Sequence, residues 1–94
     1  MDPEDPDDVV RHVGRRIAAL RERKGLTQQE LAEVGGVTLK YLQRIEAGSE
    51  NLSIRSLAKW AALLDGRAAD LFRGRVRPAE GPGRPRSKAA KRGR

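Results

Sequence analysis

The chain has no cysteine, one histidine and one residue each of Trp, Tyr and Phe. The lack of cysteine excludes a disulfide framework and a thiolate metal site, and His12 alone cannot hold a metal ion. No run of ~18 apolar residues is present, as a membrane-spanning helix would require. We therefore expect no metal, no cofactor and no membrane insertion, and a cytoplasmic location.

Features of an enzyme are also missing. The sequence contains no recognisable nucleophile–base pair, phosphate-binding glycine loop or cluster of metal ligands. Its 94 residues suffice for one small domain. The chain is therefore expected to bind rather than to catalyse.

Charge is unevenly distributed along the chain, whose net charge is +7. Residues 1–8 carry five acids and no base, whereas residues 75–94 carry eight Lys or Arg against one Glu. A basic domain with a strongly basic tail suits a polyanion, and nucleic acid is the commonest such partner. DNA binding would also associate the protein with the nucleoid.

Composition divides the chain into three parts. Residues 1–7 are acidic and contain two prolines, residues 8–73 carry the helical patterns, and residues 74–94 are basic and poor in apolar residues. Both terminal parts are predicted to be disordered, because they bury too little apolar surface to offset the entropy of ordering. The first helix is expected to begin at Asp7 or Asp8, whose carboxylate can cap it.

Apolar spacing predicts five helices between residues 8 and 73, hence an all-α domain. The first ends at Gly25, and the next three follow the capping residues Thr27, Thr38 and Ser53. A short fifth helix covers residues 68–72. The later helices are expected to bury Leu31, Ala32 and Val34, then Leu42 and Ile45, then Ile54, Leu57, Ala58, Ala61 and Leu64, and finally Leu71 and Phe72.

Residues 27–48, TQQELAEVGGVTLKYLQRIEAG, read as two amphipathic helices joined by a glycine turn. Thr27 and Glu30 have the spacing of a capping box, and Gly36 suits the positive φ of the turn. This pattern resembles the phage-repressor (Cro/repressor, XRE) helix-turn-helix family. The resemblance is carried by Thr27, Gln28, Leu31, Ala32, Gly36, Val37, Thr38, Leu42, Ile45, Glu46 and Gly48.

The resemblance implies a transcriptional regulator that binds double-stranded DNA with its third helix in the major groove. Family members are commonly homodimers on inverted repeats. The positions expected to contact bases are Leu39, Lys40, Gln43 and Arg44. Those expected to contact phosphates are Thr27, Gln28, Thr38, Tyr41, Ser49 and Asn51.

Two of these positions have alternative interpretations. Leu39 stands where the family usually has a polar residue, so it either presses on a thymine methyl group or packs against the protein. Tyr41 either reaches a phosphate through its hydroxyl or forms the edge of the core. Arg21 and Glu46 match a structural ion pair of the family.

The fourth helix carries more apolar surface than one core stripe needs, so an exposed patch could close a dimer. The candidates are Trp60, Leu63, Leu71 and Phe72, although Trp60 could instead complete the core. The tail segment 82–86, PGRPR, resembles a minor-groove hook, with nonspecific phosphate binding as the plainer interpretation.

Alternatively, the chain is an antitoxin-like module that binds a partner protein and regulates its own operon. Small single-domain controller proteins have a similar sequence around Tyr41 and residues 51–57.

Overall fold

The computed structural model describes residues 4–77 and contains four α-helices followed by a 3₁₀ helix. These are α1 (Pro6–Lys24), α2 (Gln28–Gly35), α3 (Leu39–Glu46), α4 (Ile54–Leu63) and the 3₁₀ helix (Ala68–Phe72). No strand occurs between residues 4 and 77, so the predicted all-α class is confirmed for this part. The fifth element is a short 3₁₀ helix.

Helix α1 begins earlier than expected. Asp5 is its N-cap, and the Asp5 carboxylate accepts a hydrogen bond from the Asp7 N–H at 2.8 Å. Pro6 fits the first helical position, because its missing N–H has no helical acceptor there in any case. The predicted start at Asp7 or Asp8 is therefore wrong. Asp8 is buried and pairs with Arg11.

The next three helices begin where their caps predict. The hydroxyls of Thr27, Thr38 and Ser53 each accept a backbone N–H three residues later, at 3.0 to 3.1 Å. Glu30 also accepts the Thr27 N–H at 2.8 Å, which completes the capping box. These caps satisfy donors that a helix end otherwise leaves unpaired.

One apolar core joins all five elements. Trp60 is its largest member and is 1% exposed. The other buried apolar residues are Val13, Ile17, Leu31, Ala32, Leu42, Ile45, Leu57, Ala61, Leu64 and Leu71. The interpretation of Trp60 as a core residue is therefore the one the structure supports.

Four residues expected in the core lie outside it. Val34 is 61% exposed and Ile54 is 81% exposed, while Ala58 and Phe72 are also exposed. Leu57, Ala61 and Leu64 are buried as expected, and Trp60 joins them on the buried side of α4. Trp60, whose ring packs against Gly35 of α2, is the largest side chain on that buried side.

Two glycines allow close approach between helices. A Cβ at Gly35 would lie 2.5 Å from the Trp60 ring, and one at Gly14 would lie 2.4 Å from the Ile45 carbonyl oxygen. Such distances are far shorter than packing allows. Gly35 therefore lets α2 rest on Trp60, and Gly14 lets α1 cross closely behind α3.

The 3₁₀ helix is tied to α1 by polar contacts. Arg16 Nε donates to the Asp70 carbonyl oxygen at 3.0 Å, and His12 Nε2 lies 2.7 Å from the Arg73 carbonyl oxygen. The Arg67 N–H donates to the Asp70 carboxylate at 2.8 Å. That hydrogen bond, helped by the nearby Arg73 and Arg16, lowers the pKa of Asp70 from its ordinary value.

Candidate nucleic-acid interface

Helices α2 and α3 form a helix-turn-helix unit. Gly36 ends α2 with φ of 72°, and its N–H donates to the Glu33 carbonyl oxygen at 3.2 Å. The Val37 N–H closes the same end by donating to Ala32 at 3.0 Å. Glycine adopts this left-handed conformation without the steric cost of a Cβ. The turn thus aims α3 away from α2 with little freedom.

Helix α3 has two different faces. Its inner face buries Leu42 and Ile45 in the core. Its outer face exposes the side chains of Lys40, Gln43 and Arg44, as the sequence predicted. Leu39 is partly buried, so both interpretations of that residue stay open.

An ion pair fixes the C-terminal end of α3 to α1. Arg21 Nε donates to Glu46 Oε2 at 2.7 Å and Arg21 Nη2 donates to Oε1 at 3.1 Å, while Nη1 donates to the Leu26 carbonyl oxygen. The hydrogen bond to Glu46 raises the pKa of Arg21 against the opposing effect of burial. A two-pronged contact of this kind sets both distance and orientation. The predicted Arg21–Glu46 ion pair is present.

Gln28 connects this ion pair to the outer face. Its Nε2 donates to Glu46 Oε1 at 2.9 Å, and its Oε1 accepts from Gln43 Nε2 at 3.4 Å. Gln28 is also the first residue of α2, where free N–H groups and the helix dipole favour an anion. The structure therefore orients a predicted phosphate contact and a predicted base contact through one chain of hydrogen bonds.

The cations of the outer face differ in their partners. Within residues 4–77, Lys40 makes no ion pair, whereas Arg44 Nη2 pairs with the Glu50 carboxylate. Sequence patterns did not single out Glu50. Its contact depends on the loop after α3, and no helical spacing encodes that loop's path.

The other residues predicted to contact phosphates differ in how exposed they are. Thr27 and Thr38 are exposed, and each hydroxyl that accepts a capping bond keeps its own O–H available to donate. Ser49 and Asn51 are exposed in the loop between α3 and α4. Tyr41 is partly buried and packs against the core, consistent with its interpretation as a core edge.

The predicted dimer candidates are not brought together on one surface. Trp60 and Leu71 are buried inside the domain, and Leu63 is partly buried. Phe72 is 48% exposed and lines a small groove with Val9, Leu52 and Leu57. Trp60 and Leu71 therefore cannot contribute side-chain area to an interface.

Three further expectations concern membrane insertion, metal binding and the basic tail. No helix among the described residues is long and apolar enough to cross a membrane. Residues 4–77 contain no group of three acidic, His or Cys side chains that could hold a metal ion. The basic tail beyond residue 77, including the hook-like segment 82–86, lies outside the described residues.

Known proteins share this arrangement. The chain is 44% identical to the HTH-type transcriptional regulator SinR of Bacillus subtilis over 54 residues, which are 56% of this chain and 49% of SinR. It also resembles the restriction-modification controller protein C.AhdI of Aeromonas hydrophila, with a TM-score of 0.62 and 37% identity, covering 69% of this chain and 97% of C.AhdI. The chain spans about half the length of the first curated relatives it matches.

SinR has solved structures in two kinds of complex. SinR bound to DNA matches with a TM-score of 0.58 and 42% identity, over 63% of this chain and 95% of that one. SinR bound to the SinI protein matches with a TM-score of 0.59 and 40% identity, over 65% of this chain and 60% of that one.

The family comparison covers most of the domain. The family model HTH_3, described as helix-turn-helix, matches residues 17–78. That range includes α2, α3 and α4 entirely, together with the Arg21–Glu46 pair. The chain therefore belongs to the HTH_3 helix-turn-helix family.

Proposed function

We propose that the protein is a transcriptional regulator that binds double-stranded DNA sequence-specifically, with α3 in the major groove. The observation that carries this proposal is the outer face of α3. Lys40, Gln43 and Arg44 share that exposed face, on a helix fixed to the domain by Leu42, Ile45 and Glu46. A rigid helix presenting cationic and amide side chains is what major-groove reading requires.

The roles divide by chemistry. Arg44 and Lys40 donate to guanine O6 and N7, and Gln43 donates to and accepts from adenine. Gln28, Thr27 and Thr38 position the domain on phosphates with helix N-termini behind them. Tyr41, Ser49 and Asn51 are further phosphate candidates at the edge of the face. The structure of SinR in complex with DNA supports DNA binding by analogy.

We propose that the regulator acts as a homodimer on an inverted repeat, through the exposed apolar side chains Ile54 and Phe72. Ile54 begins α4 one turn before Leu57, and Leu57 and Phe72 line the same groove. Substituting Ile54→Lys should yield a monomer in sedimentation analysis. Val34→Lys, at another exposed aliphatic side chain, is the control. A wild-type monomer at all concentrations would reject the dimer.

The basic tail, residues 75–94, would add nonspecific attraction to phosphates. Each neutralised phosphate contributes ~0.9 to the slope of log affinity against log salt, so six contacts steepen it by roughly five units. A chain lacking residues 75–94 should show that loss of slope. An unchanged slope would remove this role. Binding of this kind would place the protein with the nucleoid in the cytoplasm.

In vitro selection from random duplexes with the purified full chain tests the function. Enrichment of an inverted repeat supports dimeric sequence-specific binding. The absence of any enriched sequence at physiological salt would contradict the proposal.

A second candidate function is binding to a partner protein, as an antitoxin-like module does. The SinR complex with SinI shows a relative that binds another protein. If this is the main function, replacing Lys40 and Arg44 by alanine would leave partner binding intact. Neither function is enzymatic, in keeping with the regulators among the chain's relatives.

A further inference from the structure

The pair formed by Arg44 and Glu50 is asymmetric. Arg44 lies in the last turn of α3, and its side chain is 58% exposed, whereas that of Glu50 is 19% exposed. The carboxylate is therefore partly embedded in the domain, and the guanidinium extends from it towards solvent. The more buried partner can therefore act as the anchor for the more exposed one.

The loop after α3 fixes Glu50 in turn. The Ser49 N–H donates to the Arg44 carbonyl oxygen at 2.9 Å, and Gly48 adopts φ of 80° directly against Arg11. A Cβ at Gly48 would lie 2.5 Å from Arg11 Cγ, so the loop passes close to α1. Glu50 itself lines a groove beside Ile45 and Leu52. The chain is thus held before Glu50 by the loop contacts at Gly48 and Ser49, and after it by Leu52, which packs against the core.

We propose that Glu50 is a specificity-determining residue that positions Arg44 for a base edge and opposes its use on phosphates. This inference rests on the proposed DNA-binding function. An arginine has five N–H donors in a planar fork. With Nη2 paired to Glu50, the mostly exposed guanidinium keeps its Nε and Nη1 donors, and a guanine contact needs such donors held in place.

A phosphate contact has the opposite consequence. To reach the DNA backbone freely, Arg44 would leave Glu50, and an unpaired carboxylate would then lie close to a polyanion. That arrangement is unfavourable because like charges repel and the carboxylate is only partly solvated. Glu50 therefore weakens binding to nonspecific DNA more than binding to the correct site.

The test compares an operator duplex, obtained by selection, with a scrambled duplex of equal length. Glu50→Gln should bind the scrambled duplex about fivefold more tightly and change operator binding by less than about twofold in either direction, which lowers the ratio of the two affinities by about 2.5- to tenfold. Its salt slope on scrambled DNA should rise by about one, for one added phosphate contact. The control is Glu33→Gln, which makes the same change of charge at an exposed position of α2 and should leave the ratio unchanged.

Two further variants separate positioning from simple charge. Glu50→Asp keeps the charge but shortens the side chain. If Glu50 acts by positioning Arg44, this variant should have a lower affinity ratio, whereas a charge effect alone predicts an unchanged ratio. In an Arg44→Ala background, Glu50→Gln should no longer alter the ratio. If operator preference persists, the inference is overturned by an unchanged ratio in either Glu50 variant, or by an equal fall of the ratio without Arg44. A wild-type chain with no operator preference overturns the inference together with the proposed function.

Discussion

The inner and outer faces of α3 lie on the same eight residues but differ in how their side chains are held. Inner residues Leu42 and Ile45 are buried, and Glu46 accepts hydrogen bonds from both Arg21 and Gln28. Outer residue Lys40 has no ion pair among residues 4–77. The difference shows that the two sides of one short helix have separate roles. The inner side holds the helix rigidly in the domain, and the outer side presents free hydrogen-bond donors.

The largest expected effect comes from the inner face. Leu42→Ala removes a fully buried side chain and leaves a cavity, which should lower the free energy of unfolding by about 3 kcal/mol. Thermal melting should shift down by roughly 15 °C, since 1 kcal/mol corresponds to ~4–8 °C in a domain of this size. The matched control is Leu39→Ala, at a partly buried leucine of the same helix, which should lose less stability. An equal loss of stability in both variants would contradict the distinction between the faces.

The outer face should give the reverse result. Lys40→Ala combined with Arg44→Ala should weaken operator binding at least ~30-fold, because each of the two base contacts contributes ~1–3 kcal/mol of discrimination. The melting temperature should change little, since both side chains are exposed. Binding is measured by fluorescence anisotropy. Arg15→Ala with Arg23→Ala removes the same charge from exposed positions of α1 and should retain preference for the operator.

The ion pair between α1 and α3 belongs to the inner face and should affect stability first. Glu46→Gln should cost about 2 kcal/mol, less than the ~3–5 kcal/mol of a fully buried pair because Arg21 keeps some contact with water. Urea unfolding measures this loss, with Glu33→Gln as the exposed control. A variant with wild-type stability but lost operator binding would place Glu46 among the DNA contacts instead.

The smallest expected effect lies away from α3, at Asp70. The folded state favours the ionised carboxylate, so its contribution is complete above the ordinary pKa of 3.8 and is lost as pH falls through the lower folded pKa. Asp70→Asn should therefore be slightly less stable than wild type at pH 7. The difference should shrink as pH falls through the lowered pKa of Asp70 and disappear once both chains carry an uncharged side chain. Thermal melts across this pH range check the prediction.

Local chemistry allowed much of this arrangement to be predicted. The caps at Thr27, Thr38 and Ser53 and the turn at Gly36 follow from residue type and spacing, as does the outer placement of Lys40 and Arg44. The Arg21–Glu46 pair came from the family resemblance. Caps and turns act over three or four residues, so the sequence displays them directly.

Tertiary packing determined what could not be predicted. Trp60 is buried, and Gly35 leaves room for its ring, whereas Ile54 at the start of the same helix is exposed. An apolar stripe in the sequence does not show which of its side chains pack against a neighbouring helix. Likewise Glu50 reaches Arg44 only through the path of the loop after α3. The core assignment was therefore less secure at α4 than at α3.

The central claim, that the outer face of α3 contacts DNA, is tested most directly by NMR titration of the full, isotope-labelled chain with the selected duplex. We predict the largest amide and side-chain shifts at residues 39–44 and at Gln28, with smaller changes in α4 and the 3₁₀ helix. Unshifted signals across α3, with the main changes in α4 around Ile54, would contradict the account.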